Sequence, residues 1–198
     1  MKESHDITRT TLATWLRNED AGAAAHSFEL GQSDEALAAF AKAHAVAPPP
    51  QLGQRIFSKI GRLDAQKRNR VKLNLASLPR LDENSNFFDW EELAEGIEPP
   101  AEFEGVHLHP LEQNEQRELF VAWVKEEVPE EVHYDLLESF LLLEGTCECH
   151  VTDPAGTCRI VRMGQGDFIT MQIGETHDLV ITSRQPAKAI LQWWKIAA

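Results

Sequence analysis

Cysteine is scarce in this 198-residue chain and confined to one place: Cys147, Cys149 and Cys158, with none earlier. An odd number of thiols in one short stretch excludes the evenly paired framework of a small secreted disulfide scaffold. Positive charge is also in short supply. Lys and Arg number 19 against 32 Asp and Glu, a net charge of −13. That deficit argues against direct binding of nucleic acid, which needs clustered cations. It leaves room for a basic protein partner, although acidic excess alone serves solubility. No apolar run approaches the roughly 20 residues that span a bilayer. No basic-then-apolar signal opens the chain, so the expected compartment is the cytoplasm, with no membrane association. What remains is ordinary for a soluble protein: 42% apolar and 26% charged residues, in a length that suits one large or two small domains.

The chain divides by pattern. Residues 1–70 read as helical. Segments 11–16, 21–30 and 34–45 are rich in Ala and Leu and lack strand alternation. Ser33 before Asp34 and Glu35 reads as an N-cap. Leu37, Phe40, Ala41 and His44 fall at helical spacing, which puts His44 at the edge of a core stripe. Pro48, Pro49 and Pro50 stop that helix. Leu52, Ile56, Ile60 and Leu63 form a second stripe that runs into the basic cluster Lys67, Arg68 and Arg70. Residues 71–103 read as a linker whose apolar island, Phe87, Phe88 and Trp90, forms a short docking helix with Trp90 as its anchor.

From residue 104 to 198 the pattern is β. Short strands are expected over 106–110, 118–124, 139–143, 147–151, 158–163, 167–172, 178–182 and 187–195, separated by turn residues. The fold class is therefore α+β by segment, a helical region followed by an all-β barrel or sandwich. The turn at residues 153–156 would pair Thr152 with Thr157 and set all three thiols on one side of the sheet. They are expected there as small buried apolar groups rather than as zinc ligands. His107 and His109 share a strand face but have no carboxylate at a useful spacing.

The chemistry concentrates in EVHYDLLESFLLLEG, residues 131–145, and GDFITMQIGETH, residues 166–177. Residues two apart on a strand point to one face, so Glu131 and His133 can look inward together. Glu138 would begin the next strand, with Phe140 and Leu142 on its face, and His177 arrives from a later one. Imidazole nitrogen and carboxylate oxygen together suit a divalent first-row metal, either iron or zinc. No separate catalytic acid/base pair is evident, which leaves catalytic residues unassigned.

These two segments resemble the two motifs of the cupin superfamily. Glu131, His133, Glu138 and Gly145 fall on the His, His, Glu and Gly positions of the first. Gly166, Gln172, Gly174 and His177 fall on the Gly, Pro, Gly and His positions of the second. The chain departs at Glu131 and Gln172, at Ile181 where the motif closes on Asn, and at Lys125 where it opens on Gly. The resemblance implies a double-stranded β-helix barrel binding one divalent ion (zinc, iron, manganese or nickel) through His133, Glu138 and His177, with Glu131 as fourth ligand. It also implies a small-molecule ligand in the barrel.

Residues 19–60 resemble the N-terminal helical region of bacterial anti-sigma factors of the extracytoplasmic-function class, through Leu52, Arg55, Ile56 and Ile60 after a Pro-rich break. The zinc-type His-x3-Cys-x2-Cys motif is absent, so the likeness is to zinc-free members, some of which carry a C-terminal cupin. Gly31, Ala36, Phe40, Ala43 and Pro48 also sit on second-helix positions of a tetratricopeptide repeat, but one repeat cannot bury its own face. The expected function is a cytosolic metal-binding regulator that senses a small molecule or oxidant, with a sigma factor held through residues 1–70. The alternatives are a small metal-dependent dioxygenase or isomerase, and a metal-free structural barrel that dimerises through the strand carrying Trp193 and Trp194.

Overall fold

The computed structural model describes residues 30–45 and 47–196. The expected helices over 11–16 and 21–30, apart from Leu30, lie outside those residues. The chain divides into two compact units, Met1–Pro50 and Gln51–Ala198. In the first, α1 spans Leu30–Ala43 and exposes Leu37 and Phe40, with His44 stacked on Phe40 just beyond its end. Ser33 lies inside this helix and not at its cap, because the helix already runs at Leu30.

The second unit begins at Gln51, ahead of the expected boundary at residue 70, and so includes α2 (Leu52–Arg68) and α3 (Phe87–Leu93). Nine strands follow: β1 (Val106–Gln113), β2 (Arg117–Val124), β3 (Glu127–Val132), β4 (Leu136–Glu144), β5 (Thr146–Thr152), β6 (Cys158–Gly164), β7 (Phe168–Met171), β8 (Thr176–Ile181) and β9 (Ala187–Lys195). They form two antiparallel sheets, ordered β1-β2-β9-β4-β7 and β3-β8-β5-β6. Six of the eight connections between successive strands cross from one sheet to the other, all but β1–β2 and β5–β6, which gives the expected β-barrel. Seven of the nine strands run along the expected segments nearly end to end, and β7 covers the middle of another. The addition is β3.

The large sheet is covered on both faces, which is why β2 and β4 read as continuous apolar runs instead of alternating. Phe120, Ala122, Phe140 and Leu142 face the barrel interior. Leu119, Val121, Trp123, Leu141 and Leu143 face the other way, against Leu78, Leu81, Phe87 and Trp90. Residues 71–103 are thus a packed strap, and Trp90 is the anchor expected of it. Polar side chains fasten the strap where its backbone is buried. Arg117 donates to Leu78 O and Pro79 O while paired with Glu112, Gln192 exchanges two hydrogen bonds with the backbone of Leu81, and Lys188 donates to Ala94 O and Ile97 O beyond α3. Asn86 caps α3 by accepting from Phe88 N.

Helix α2 docks by its polar side. Lys59 and Arg62 meet Asp167, Arg62 also reaches Gly166 O, and Gln66 donates to Ser85 O. Only Leu63 of the apolar stripe packs on the core. Leu52, Ile56, Ile60 and the neighbouring Phe57 stay exposed, Phe57 at 75%. The basic cluster is a solvated helix end, with Arg70 paired to Glu92.

The β5–β6 hairpin corrects the cysteine register. Asp153 Oδ1 accepts from Ala155 N and Thr157 N, which draws Thr157 into the loop. Thr152 therefore pairs with Cys158, and Val151 with Arg159. Cys147 and Cys149 are buried as expected, while Cys158 falls on the opposite, exposed face.

Candidate metal centre

The four expected ligands meet. Glu131, His133, Glu138 and His177 each offer one donor atom, all within 4.8 Å of one another. Each arrives for a local reason. Strand β3 is an edge strand, where Pro129 costs no ladder bond. Between Val128 and Glu131 its register against β8 slips by one residue: Val128 faces Leu179, and Glu131 faces His177. On a regular strand these two residues, three apart, would point to opposite faces. The bulge turns both toward the interior, so Glu131 leaves the exposed acidic edge that its neighbours Glu127 and Glu130 form. His133 follows the last residue of β3, and its carbonyl accepts from Gly174 N of the second motif. Glu138 stands on β4 on the face of Phe140 and Leu142, as expected, and His177 on β8.

Burial is graded across the quartet. His177 is 4% exposed and Glu138 is buried, while Glu131 and His133 are half-buried. Glu138 Oε2 is 3.1 Å from His133 Nε2. His177 Nε2 lies 3.4 Å from Glu131 Oε1 and 3.7 Å from Glu138 Oε1, yet neither of its ring nitrogens makes a hydrogen bond. Burial opposes charge on this ring, but the two carboxylates outweigh it and push its pKa up to about 9. Glu131 is held below the usual carboxylate range by His177 beside it, against the opposing effect of burial. A buried imidazole among carboxylates with no aligned partner is what a metal ligand looks like before the ion is counted. Two imidazoles and two carboxylates also form a donor set that a divalent ion accepts.

One functional residue was not legible in the sequence. Trp193, expected as core or interface, donates its indole N–H to Glu138 Oε2 at 2.9 Å. It stands opposite Glu138 across the β4–β9 ladder and packs edge-on against Phe120. Strand β9 lies inside its sheet, between β2 and β4, and Trp194 is overlain by Arg80. His107 and His109 do not form a second centre. Their neighbours Val106 and Leu108 face the cavity, and His107 packs between Phe103 and Trp123. Among the described residues the quartet is the one cluster able to hold a metal.

Behind the quartet lies a cavity of about 180 Å³, walled mostly by aliphatic side chains of both sheets. No helix among the described residues is long and apolar enough to cross a membrane.

No protein-family profile matches the sequence, and no curated protein matches it. Solved structures do. The chain is similar to the cupin domain of Schizosaccharomyces pombe Cnp3, at 15% identity and a TM-score of 0.42, over 46% of this chain and 61% of that one. It is similar to a cupin superfamily protein of Desulfitobacterium hafniense, at 17% identity and a TM-score of 0.40, over 50% and 84% of the two chains. It is also similar to a Thermotoga maritima protein described as a predicted oxalate decarboxylase, at 17% identity and a TM-score of 0.41, over 46% and 81%. The quartet and its cavity stand independently of these likenesses.

Proposed function

We propose that this chain binds one divalent metal ion through His133, Glu138 and His177, with Glu131 as fourth ligand, and receives a small molecule in the cavity behind them. The observation that carries the reading is His177, buried beside two carboxylates with both ring nitrogens unpartnered. Zinc, iron, manganese and nickel all suit these donors. A bound ion would supply a Lewis-acidic centre with open positions. The chain's own residues do the rest. Trp193 orients Glu138, the β3 bulge aims Glu131, and the aliphatic walls exclude water. Elemental analysis of untagged protein beside a His133→Ala/His177→Ala double variant tests this. About one metal per chain, lost in the variant, is expected. Absence of metal, with none taken up on addition, leaves the metal-free structural barrel.

The reading extends to a regulator in which residues 1–70 hold a sigma factor. It is supported by α2, which presents Leu52, Ile56, Phe57 and Ile60 outward while its other side is fixed to Gly166 and Asp167 of the second motif. A basic sigma factor should co-purify with the full chain and be lost from Ile56→Asp/Ile60→Asp. If none co-purifies, the regulator falls and the metal centre stands. A small dioxygenase or isomerase is the second reading, favoured by the cavity that opens on the donors, with Glu131 as base if it is not a ligand. Turnover by a chain lacking residues 1–50 would favour the enzyme.

A further inference from the structure

The cavity carries information about its occupant that the ligand set alone does not. Its wall draws on Val106, Leu108, Val128, Leu142, Leu179 and Leu191, among others, and includes no Lys or Arg. Its polar groups gather at one end, where Glu131, Glu138, His177 and Trp193 meet. The Cys149 thiol in the wall is pushed up to about 12 by burial first, so it adds no charge.

No basic side chain stands at that end to receive an anion: two carboxylates line it and no Lys or Arg does. The charge of an anionic head group entering here would be stripped of water among aliphatic side chains. Trp193 is a donor, but its N–H is already committed to Glu138. A neutral molecule meets none of these costs. A dry aliphatic cavity of about 150 Å³ takes a molecule the size of benzene, and this one is about 180 Å³.

From this we infer that the occupant is a neutral, mainly apolar molecule of about one ring, carrying a single oxygen donor directed at the quartet, and that carboxylates and phosphates are excluded. The inference rests on the metal-centre reading for its polar anchor, and its test separates the two. Cyclohexanone and cyclohexanecarboxylate share a ring and differ in head-group charge. Their binding to the metal-loaded full chain is compared by calorimetry, with metal content measured on the same samples. Ala189 lines the wall, and Ala189→Leu fills part of the cavity without touching a donor. Leu179→Phe does the same should that variant fail to fold.

Cyclohexanone is expected to bind, the carboxylate to bind at least tenfold more weakly, and the filled cavity to weaken cyclohexanone at least tenfold at unchanged metal content. A carboxylate that binds as tightly as the ketone, or more tightly, would overturn the neutral class. Ketone binding unaffected by Ala189→Leu, or no ketone binding, would overturn the cavity as the site. Protein free of metal that still prefers the ketone would sink the metal centre and leave this inference standing, since the aliphatic wall and its lack of Lys and Arg do not depend on the ion.

Discussion

Trp193 and Glu138 face each other across the β4–β9 ladder, and the indole N–H of the first donates to Oε2 of the second at 2.9 Å. The same oxygen is 3.1 Å from His133 Nε2. One donor from a third strand thus fixes a carboxylate shared by the centre. Groups that orient metal ligands in this way typically contribute 10- to 100-fold in affinity. Trp193→Phe keeps the ring against Phe120 and removes the N–H. We expect it to fold as the wild type does and to lose about tenfold or more in metal affinity by chelator competition. Equal affinity in both proteins would show that Glu138 is held by packing alone.

The β3 bulge admits one extra residue without turning Glu131 away from the interior. The extra residue lies between Val128 and Glu131, where the ladder slips. Deleting Glu130 removes it and leaves Val128 and Glu131 two apart, so both still face the interior on a regular strand. The deletion variant should keep its far-ultraviolet dichroism and most of its bound metal. Glu131→Ala in the full-length strand should lose more, because it removes a donor outright. Loss of most of the metal from the deletion variant would mean that the bulge itself, beyond inward alternation, sets Glu131 on the quartet.

The sequence was legible where local periodicity decides structure. The quartet was readable because Glu131, His133 and Glu138 lie within one short stretch and His177 closes a turn marked by Gly174, whose φ is +75°. Strand β3 escaped composition because four of its six residues are Glu or Pro; it pairs on one edge only and is bulged. The role of Trp193 depends on which strand lies beside β4, and that pairing is set by the whole barrel rather than by its neighbours in sequence. Cys158 was misplaced because two hydrogen bonds to Asp153 Oδ1 lengthen the hairpin loop by one residue, which flips every later side chain. The strap escaped because its buried Leu78 and Leu81 are isolated among polar residues and read as linker.

That register has a chemical consequence. Cys158 is exposed, whereas burial pushes the thiol of Cys147 from 9.0 up to about 11 and that of Cys149 from 9.0 up to about 12. The thiolate is the reactive form, so the buried pair is protected twice, by access and by protonation. Folded protein at pH 8 should titrate as one thiol with a disulfide reagent, and unfolded protein as three. The linkage sign follows from the raised values. Between about pH 9 and 11 the folded chain keeps thiol protons that the unfolded chain loses, so these groups lower stability as pH rises. Denaturant midpoints should therefore fall above pH 9, and fall less in Cys147→Ala/Cys149→Ala. Three reactive thiols in the folded protein would refute the placement.

Gly145, at the β4–β5 turn, is held by two constraints that can be measured apart. Its φ is +86°, a conformation that costs a residue bearing a Cβ about 1–2 kcal/mol. A Cβ there would also lie 2.8 Å from Ser183 Oγ and 3.1 Å from the backbone Cα of Ala187. Ser183 Oγ can move, though it donates to Gln185 O and accepts from Thr146 N; the Ala187 backbone is set by the start of β9. Gly96 shares the positive φ, at +75°, but a Cβ there meets nothing within 4 Å. Gly96→Ala therefore reports the backbone cost alone, about 1 kcal/mol, or roughly 2–4 °C in melting temperature at this chain length. Gly145→Ala adds the steric cost and should lose about 3 kcal/mol, in the range of an overpacked core. Because β4 carries Glu138 at its other end, metal content should survive Gly145→Ala while stability falls. Equal losses in the two variants would mean that the turn at Gly145 relaxes freely.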